Sequence, residues 1–371
     1  METTTNNKGN PFDETNKLVL IQLKDKQNAY HYCSNSFANN SPILARASCL
    51  IGSNLKFDLH WMRRELNYIP NCPVWCLQLA EFILSNQTWK YPDLDTMGIK
   101  YNLGEKIHTI KEKYWDQGID TDKIPIEELI EYGIQDVELS YAVFLEQVKR
   151  FSTTDQHLFP LFRLQCNDLL VLQEMEWNGL IYDEESSLEK SKEIESEIEK
   201  VEQKLDTLLD YPEINYNSND DLSLILYGGI KKSKTRVPTG FYKTGLKAGQ
   251  VKYRLFDTTK MFPRLVTPIK GSELLKEGFY STDEPTLRTL VPNAHTKKII
   301  TLLLERAKLE KINGTYLKGL PKLREKMHWP PNKLYSNLNQ CVVITSRLSS
   351  TKPNQQNLAP LAKQFFISRY D

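Results

Sequence analysis

Residues 132–136 read Tyr-Gly-Ile-Gln-Asp and lie inside a segment, 126–151, whose apolar periodicity predicts one long helix. The four-residue spacing places the phenol of Tyr132 and the carboxylate of Asp136 one turn apart on the same helix face. Such a pair can orient a water molecule with the phenol and hold a metal ion with the carboxylate. The same spacing is common in purely structural helices, so its meaning depends on the segments that precede it.

Two acidic segments lie upstream. Asn-Leu-Lys-Phe-Asp at 54–58 ends in Asp58 at a predicted strand-to-helix turn, and Glu-Thr-Thr-Thr begins at Glu2, ahead of the apolar run 17–24. Hydrolysis of a phosphodiester by two divalent ions about 3.5–4 Å apart needs carboxylates that converge from separate elements. Glu2, Asp58 and Asp136 meet that requirement if the fold brings them together.

The surrounding pattern alternates short strands with helices, which predicts an α/β domain over roughly the first 150 residues. The predicted elements are the strand at 17–24, its hairpin partner Ala29–Cys33, a strand at 48–52, helical structure from Leu59 to about Leu84, and the helix at 126–151.

The order of the three acidic segments resembles the 3′→5′ proofreading exonuclease domain of family A DNA polymerases, a ribonuclease H-like fold. In that family the first motif is Asp-x-Glu, the second ends in Asp, and the third is Tyr-x-x-x-Asp. The resemblance implies catalytic roles for Glu2, Asp58, Tyr132 and Asp136, with Glu2, Asp58 and Asp136 binding two divalent ions, Mg or Mn. The Asp of the first motif would fall one residue before Met1, so we expect weakened metal binding and low nuclease activity unless translation starts upstream.

After residue 152 the predicted structure becomes mainly helical. Helices are predicted at 160–180, at 184–210 and from Thr296 to about Gly314. The helix at 184–210 carries an apolar stripe spaced by threes and fours, which predicts packing against a partner helix: Ile194, Ile198, Val201, Leu205 and Leu208. The segment from Met175 to Asp183, with its Met-Glu-x-x-Gly pattern, resembles the entry to the thumb of family A polymerases.

A further resemblance lies in 345–350, Thr-Ser-Arg-Leu-Ser-Ser, and 353–358, Pro-Asn-Gln-Gln-Asn-Leu. These segments resemble the family's T-G-R-L-S-S and P-N-L-Q-N signature, with Ser346 where Gly is usual and Gln355 where Leu is usual. A guanidinium suits minor-groove acceptors, and amides and hydroxyls donate and accept without reading sequence. The resemblance implies contacts with a primer–template duplex from Arg347, Ser349, Asn354, Gln356 and Asn357.

Residues 231–254 contain eight Lys and Arg residues and no Asp or Glu, with Tyr242 and Tyr253 among them. Three glycines predict a flexible loop or an irregular hairpin. Two interpretations stay open, a solvated basic loop or a segment that contacts DNA phosphates. The residues assigned to DNA under the second interpretation are Lys231, Lys232, Lys234 and Arg236.

The amino-acid composition limits the classes of protein to which the chain can belong. A net charge of +1 excludes a polycation, so a nucleic-acid site must be local, and 40% hydrophobic residues allow sizeable cores. No stretch approaches the roughly 18 apolar residues of a membrane span, and no membrane partner is expected. The six scattered cysteines favour a reduced compartment. We expect a phage protein in the cytoplasm of a host bacterium.

Three domains are predicted: an exonuclease domain at 1–152, a mainly helical thumb at 153–333, and the start of a polymerase palm at 334–371. The family's catalytic palm aspartates and its fingers would follow the last of these segments, so we expect no polymerisation by this chain alone. One interpretation is the front part of a DNA polymerase, binding primer–template and a single-stranded 3′ end, with palm and fingers on a second polypeptide. The alternatives are a stand-alone or inactive exonuclease-like DNA-binding protein and a truncated gene product.

Overall fold

The structure is a computed structural model that describes residues 1–33, 42–104, 109–209, 214–245 and 247–368. Its internal packing divides the chain into two compact units. The first unit comprises Met1–Leu188 together with Tyr316–Asp371, and the second comprises Glu189–Thr315. The predicted domain boundaries near 152 and 333 stay predictions.

The strands, in chain order, are β1 (Glu2–Thr3), β2 (Leu18–Lys24), β3 (Ala29–Cys33), β4 (Leu50–Gly52), β5 (Val74–Cys76), β6 (Leu180–Tyr182), β7 (Gly229–Phe241), β8 (Val251–Phe262), β9 (Lys333–Leu334), β10 (Asn337–Asn339), β11 (Ser349–Thr351) and β12 (Phe366–Ile367).

The helices are α1 (Pro42–Ala45), α2 (Leu55–Leu66), α3 (Leu77–Leu84), α4 (Leu94–Lys100), α5 (Thr109–Lys113), α6 (Ile126–Ser152), α7 (Phe159–Asn178), α8 (Glu184–Leu209), α9 (Asn219–Tyr227), α10 (Glu284–Thr289), α11 (Ala294–Lys311), α12 (Gly319–Lys326) and α13 (Pro360–Lys363), with a π-helical turn at Ile312–Leu317 after α11.

The first unit is built on two small sheets. Strands β1, β2 and β3 form an antiparallel sheet in that order, with Glu2 opposite Leu20 and Ile21 opposite Tyr32. Strands β4 and β5 pair in parallel, with Leu50 opposite Val74. The long helix α6 packs along β2 and β3. The predicted strand at 17–24, its hairpin partner and the long helix are therefore confirmed.

Two sequence predictions in this unit are wrong. Residues 59–84 are not one helical region, because α2 ends at Leu66 and the short strand β5 precedes α3. All three residues of β5 are buried, so the strand shows no alternation and runs without a turn signal into an apolar helix. The run Cys341–Thr345, expected to be β-type, forms bends and a turn between β10 and β11. Its first residue is buried while Ile344 is 57% exposed, so the β-branched run does not lie within a sheet.

The final segment of the first unit contains a three-stranded sheet in which β6 lies between β12 and β9. Gly179 ends α7 with φ +58° and ψ −168°, and a Cβ at this position would lie 2.8 Å from the carbonyl oxygen of Leu334. Only glycine fits both the backbone angle and the close approach of β9. This glycine therefore fixes how the chain leaves α7.

The second unit has its own core, in which α8 packs with α9 and α11. Four stripe residues of α8, Ile194, Ile198, Val201 and Leu205, are buried, as predicted. Arg306 on α11 donates from Nε to Glu202 on α8 at 2.6 Å and from an Nη atom to the carbonyl oxygen of Tyr216 at 3.2 Å. The guanidinium is almost fully buried and is satisfied by these neighbours.

Strands β7 and β8 form a long antiparallel hairpin in the second unit, with almost every residue exposed. The sequence left a flexible loop or an irregular hairpin open. The hairpin is regular over 12 or more residues in each strand, with one bulge between Pro238 and Gly240. At 3.3–3.4 Å per residue it extends roughly 40 Å.

Across the described ranges, no helix combines the length and the apolar character that a membrane crossing requires. All six cysteines are free thiols.

Candidate functional site

Helix α2 carries Asp58 in its first turn, following the turn Gly52–Asn54 at the end of β4. An acidic side chain in the first turn of a helix is stabilised by the orphan N–H groups and the helix dipole. Gly52 allows close packing here, since a Cβ at this position would lie 2.8 Å from Leu55 and 3.5 Å from Asp58 Oδ2. The strand-to-helix turn therefore directs the carboxylate toward the first residues of the chain.

The segment that contains Glu2 is held by hydrogen bonds on both sides. Strand β1 pairs with β2, and the N–H and hydroxyl of Thr5 donate to Asp120 Oδ1 at 2.8 and 2.9 Å. The N–H of Thr4 donates to the carbonyl oxygen of Lys17 at 3.0 Å. The Thr-Thr-Thr sequence after Glu2 thus anchors the edge strand instead of being a disordered tail.

Glu2, Asp58 and Asp136 meet around one positive charge, the α-amino group of Met1. The amine lies 3.4 Å from Asp58 Oδ1. Burial alone would lower the pKa of this amine, but the carboxylates of Asp58, Glu2 and Asp136 together raise it above its ordinary value. Asp58 therefore contacts the amine directly, and the charges of Glu2 and Asp136, more than 50 residues away in sequence from Asp58, also act on it.

Helix α6 brings Tyr132 and Asp136 close to the sheet because Gly133 lies between them. A Cβ on Gly133 would fall 2.0 Å from Gln22 Nε2 of β2, so a larger residue fits only if the Gln22 side chain or the helix moves. The ring of Tyr132 is buried among Leu20 and Leu129 and meets Trp115 edge-on at 5.8 Å. The ring thus has a packing role whatever its hydroxyl does.

The donor set suits hard divalent cations in kind, because carboxylate oxygens are their preferred ligands and a cation already lies among the three acids. Within the residues that the structure describes, no group of three or more His, Cys, Asp or Glu side chains is already close enough to hold a metal. A metal ion would therefore have to draw these carboxylates closer together.

Sequence reasoning missed a buried charged cluster on the opposite face of α2. Glu176 of α7, only 2% exposed, accepts hydrogen bonds from Lys56 Nζ at 2.6 Å, His60 Nε2 at 2.7 Å and the N–H of Leu338 at 2.6 Å. Lys56 also donates to the carbonyl oxygen of Leu338 at 2.6 Å. A lysine and a histidine four residues apart on one helix were the available signal, but nothing in the sequence indicated their partner.

In this Glu176 cluster, opposing effects act on each titratable group. Burial, the largest effect, raises the pKa of Glu176, but hydrogen bonds and charges from His60 and Lys56 outweigh it and hold that pKa below its ordinary value. Burial lowers the pKa of His60 more than Glu176 raises it. We therefore treat His60 as neutral and Glu176 as ionised, with Lys56 as its counter-charge.

The segment predicted to contact primer–template lies at the surface of the first unit. Arg347, Asn354, Gln356 and Asn357 are exposed, and Ser349 is partly buried in β11. Ser346, which stands where the family usually has Gly, has φ +56°, a backbone angle that favours glycine. Its hydroxyl accepts a hydrogen bond from Gln87 Nε2.

This segment is shaped by its own hydrogen bonds. Asn354 Oδ1 accepts the N–H of Gln356 at 3.0 Å, and Gln356 Nε2 donates to the carbonyl oxygen of Leu348 at 3.0 Å. Tyr316 donates its hydroxyl to the carbonyl oxygen of Asn357 at 2.7 Å. The guanidinium of Arg347 is therefore presented on an ordered loop.

The four basic residues of β7 assigned to DNA differ in their surroundings. Lys231 Nζ lies 2.5 Å from Asp221 Oδ2 and is partly buried, so its charge is already paired. Lys232, Lys234 and Arg236 are exposed, and Arg236 stacks 4.4 Å above the ring of Tyr253. Sequence reasoning assigned no role to the cations of β8, which are Lys252, Arg254 and Lys260.

Comparison with known proteins defines the class. Residues 3–148 match the family model described as 3′-5′ exonuclease, and residues 246–367 match that of DNA polymerase family A. The first match contains Asp58, Tyr132 and Asp136 and begins one residue after Glu2. The chain thus carries an exonuclease-family domain followed by part of a family A polymerase domain.

The relatives are DNA polymerases I. The chain is 36% identical to DNA polymerase I of Synechocystis over 107 residues, which is 29% of this chain and 10% of that protein. It is 31% identical to the thermostable DNA polymerase I of Thermus filiformis over 188 residues, 51% of this chain and 17% of that protein. With the Bacillus subtilis DNA polymerase I it shares 25% identity over 281 residues, 76% of this chain and 26% of that protein.

A solved structure has a similar fold. The POL domain of Pol1 from M. smegmatis, in complex with DNA primer-template and dNTP, matches with a TM-score of 0.61 and 16% identity. The match covers 91% of this chain and 49% of that one. The chain is therefore an N-terminal exonuclease domain plus part of the polymerase domain of a DNA polymerase I-like protein, and it spans only a part of each of these relatives.

Proposed function

We propose that this chain supplies the proofreading and DNA-holding part of a family A DNA polymerase. The observation that carries the proposal is the contact of Asp58 with the Met1 amine at 3.4 Å, together with the action of the Glu2 and Asp136 charges on the same amine. Each acid comes from a different element, and together they form a concentrated negative site of the kind that metal-dependent phosphodiester hydrolysis requires. A ribonuclease H-like arrangement of the first domain is part of this proposal.

Glu2, Asp58 and Asp136 would hold the divalent ions, Mg or Mn. When bound, such ions activate the attacking water and neutralise the charge that develops on the leaving oxygen. Tyr132, with its ring fixed against Trp115, would orient the attacking water through its hydroxyl. The substrate would be a single-stranded 3′ end, because a terminal nucleotide must leave its duplex to reach carboxylates at a strand-to-helix turn.

The loop around Arg347 would contact a primer–template duplex without reading its sequence. Arg347 would reach minor-groove acceptors, while Ser349, Asn354, Gln356 and Asn357 would contact sugar and base edges. On the separate β7–β8 hairpin, Lys232, Lys234 and Arg236 would contact phosphates of the nucleic acid, and Lys231 would do so only if Asp221 released it. All of these groups tolerate any sequence, as a copying enzyme needs.

About half of the M. smegmatis chain lies outside the match, and the palm and fingers would complete such an enzyme. We propose that a second polypeptide supplies them, and that the protein acts in the bacterial cytoplasm during phage replication. Primer extension that appears only when this chain is mixed with a palm-and-fingers polypeptide would support the split enzyme. Absence of extension in that mixture would contradict it.

The nuclease proposal is tested on a 5′-labelled single strand with Mg²⁺ or Mn²⁺. We expect metal-dependent shortening from the 3′ end, and we expect Asp58→Asn and Asp136→Asn to reduce it by about a hundredfold or more. Glu131→Gln, on an exposed face of the same helix, should leave the rate unchanged. If the parent chain binds DNA but shortens none of it, the inactive exonuclease-like DNA-binding protein becomes the better account.

A further inference from the structure

The β7–β8 hairpin carries far more positive charge than the net charge of the whole chain suggests. Residues 229–262 contain nine Lys and Arg residues against one Asp, a formal charge of +8 in a chain of net charge +1. The rest of the chain therefore carries −7. The hairpin therefore attracts a polyanion, although the net charge of the rest of the chain is negative.

The cations and the apolar side chains of one hairpin face are sorted by strand. Side chains alternate along a strand, and the register places Arg236 opposite Leu255 and Pro238 opposite Tyr253. This face therefore has a cation row along β7, consisting of Lys232, Lys234 and Arg236. On β8 the same face carries Tyr253 and Leu255, then Asp257 opposite Lys234 and Thr259 opposite Lys232, and finally Met261. We call its three apolar side chains, Tyr253, Leu255 and Met261, the apolar row.

The apolar row is unusually open to solvent. Tyr253 is 43% exposed, Leu255 60% and Met261 74%. Lysines on a strand edge alone would be explained by protection against edge-to-edge pairing, a common role. That role does not explain a parallel row of exposed apolar side chains, which increases the risk of association.

We propose that this face is a binding site for single-stranded nucleic acid. Alternate residues of a strand lie about 6.6–6.8 Å apart, on the scale of one nucleotide, so successive phosphates can follow the cation row. The bases then lie over the apolar row, where Tyr253 offers a ring for stacking. Arg236, stacked 4.4 Å above Tyr253, joins the two rows at the point where a phosphate and its base would meet.

A duplex fits this face less well, because its bases are already stacked and offer no apolar surface to the β8 row. The opposite face carries cations as well, Lys252, Arg254 and Lys260, but its exposed apolar residues are fewer. It holds Phe256 and Val237, at 45% and 38% exposed. The first face carries three cations and Asp257, whereas the opposite face carries Lys231 as well as these three cations and no acid. The opposite face therefore provides a comparison with at least as much positive charge and fewer exposed apolar side chains.

The inference rests on the proposed function only in taking nucleic acid as the ligand. Strand β7 lies outside both family matches, which end at 148 and resume at 246. The site is also distinct from the Arg347 loop, for which we propose a duplex ligand. Failure of the single-strand site on the hairpin and failure of the duplex site at the Arg347 loop can therefore be detected separately.

The test uses the full chain without divalent ions, and measures affinity for a labelled single strand and for a duplex of equal length over a salt series. Replacing the cation row with serine should weaken single-strand binding at least tenfold and reduce the salt slope by about 2. Replacing the apolar row with serine should weaken single-strand binding about tenfold, with an unchanged salt slope and unchanged duplex affinity.

The control replaces Lys252, Arg254 and Lys260 with serine, which removes the same charge from the opposite face. Equal losses from both cation triples, with no effect of the apolar triple, would overturn the proposal in favour of general electrostatics. No loss from any triple would assign the face to a protein partner instead. Arg347→Ala, measured on the duplex alone, reports separately on the proposed function.

Discussion

The Glu176 cluster and the β7–β8 hairpin differ in how their charged side chains are paired and buried. In the cluster a nearly inaccessible carboxylate is bound by Lys56, His60 and a backbone N–H, and every partner comes from the protein. In the hairpin nine cations meet one acid within the same segment, and most of them face water. Charge that the fold satisfies internally stabilises the fold, whereas charge left in excess is available to a ligand.

The cluster also has a geometric consequence. Lys56 and His60 lie one turn apart on α2, while Asp58 projects about 200° around the helix from Lys56. One face of α2 is therefore fixed to Glu176 of α7 and to Leu338 of β10, and the other carries a candidate metal ligand. The contacts of Lys56 and His60 with Glu176 therefore fix the position of helix α2, from which Asp58 projects.

The largest expected effect comes from removing the buried carboxylate. Glu176→Ala leaves Lys56 and His60 buried without their partner, and we expect a loss of about 3–5 kcal/mol in the free energy of unfolding. Chemical denaturation measures this. Glu174→Ala is the matched control, since Glu174 is on the same helix, 49% exposed and paired with Arg63. Its expected cost is below about 1 kcal/mol, and equal costs would show that the cluster contributes no more than a surface ion pair.

A smaller loss should follow from Gly133→Ala, because the new Cβ would lie 2.0 Å from Gln22 Nε2. Overpacking of this kind costs about 1–3 kcal/mol. Gly314→Ala, where no atom lies within 4 Å of the new Cβ, should be nearly neutral. Adding Gln22→Ala to Gly133→Ala should recover part of the loss. Failure to recover it would mean that the helix backbone, and not the glutamine, sets the limit.

The third effect depends on pH. Since burial lowers the pKa of His60 in the folded state, the unfolded chain takes up its proton first as pH falls below about 6.5. Stability should therefore decrease from about pH 7.5 to about pH 5.5, by at most about 1.4 kcal/mol per pH unit from this group. The lowered pKa of Glu176 acts only below this window, because its ordinary value is already near 4.5.

Unfolding by urea at several pH values measures this decrease. His60→Gln should flatten the dependence, whereas His295→Gln, on an exposed position, should leave it unchanged. A stability that rises on acidification over the same range would mean that His60 is protonated beside Glu176, and the charge assignment in the cluster would have to be reversed.

The smallest effect is expected in the hairpin. Replacing Lys232 and Lys234 with serine should change the free energy of unfolding by less than about 0.5 kcal/mol, because neither cation is buried. Thermal unfolding in the absence of nucleic acid measures this. A loss comparable to that of Glu176→Ala would show that these cations stabilise the fold, and the contrast between the two regions would disappear.

The sequence predicted the first-domain elements wherever periodicity was long. Helix α6 and strands β2 and β3 were recognisable because their apolar residues follow one clear period over five or more positions. Strand β5 was missed, since three buried residues carry no period and a helix begins directly after them. In the structure Asp58 contacts the Met1 amine, on which the charges of Glu2 and Asp136 also act. Their catalytic roles remain predictions.

Other features depended on contacts that spacing cannot show. Glu176 was visible only as part of a Met-Glu-x-x-Gly segment, because its partners are more than 100 residues away in both directions. The pairing of Lys231 with Asp221 depends on how α9 lies beside β7. Which cations and apolar residues share one hairpin face depends on the register of β7 with β8. Ser346, which stands where the family usually has Gly, has a positive φ that the sequence analysis did not predict.

The separation of +8 from −7 along the chain makes the protein strongly dipolar although its isoelectric point is about 7.6. Its behaviour on charged matrices should therefore follow the hairpin and not the net charge. Above its isoelectric point the chain should still adsorb to a cation exchanger, oriented with the hairpin toward the resin. From a cation exchanger it should elute at the higher salt concentration that is typical of a basic protein. Shortening the hairpin should abolish this retention.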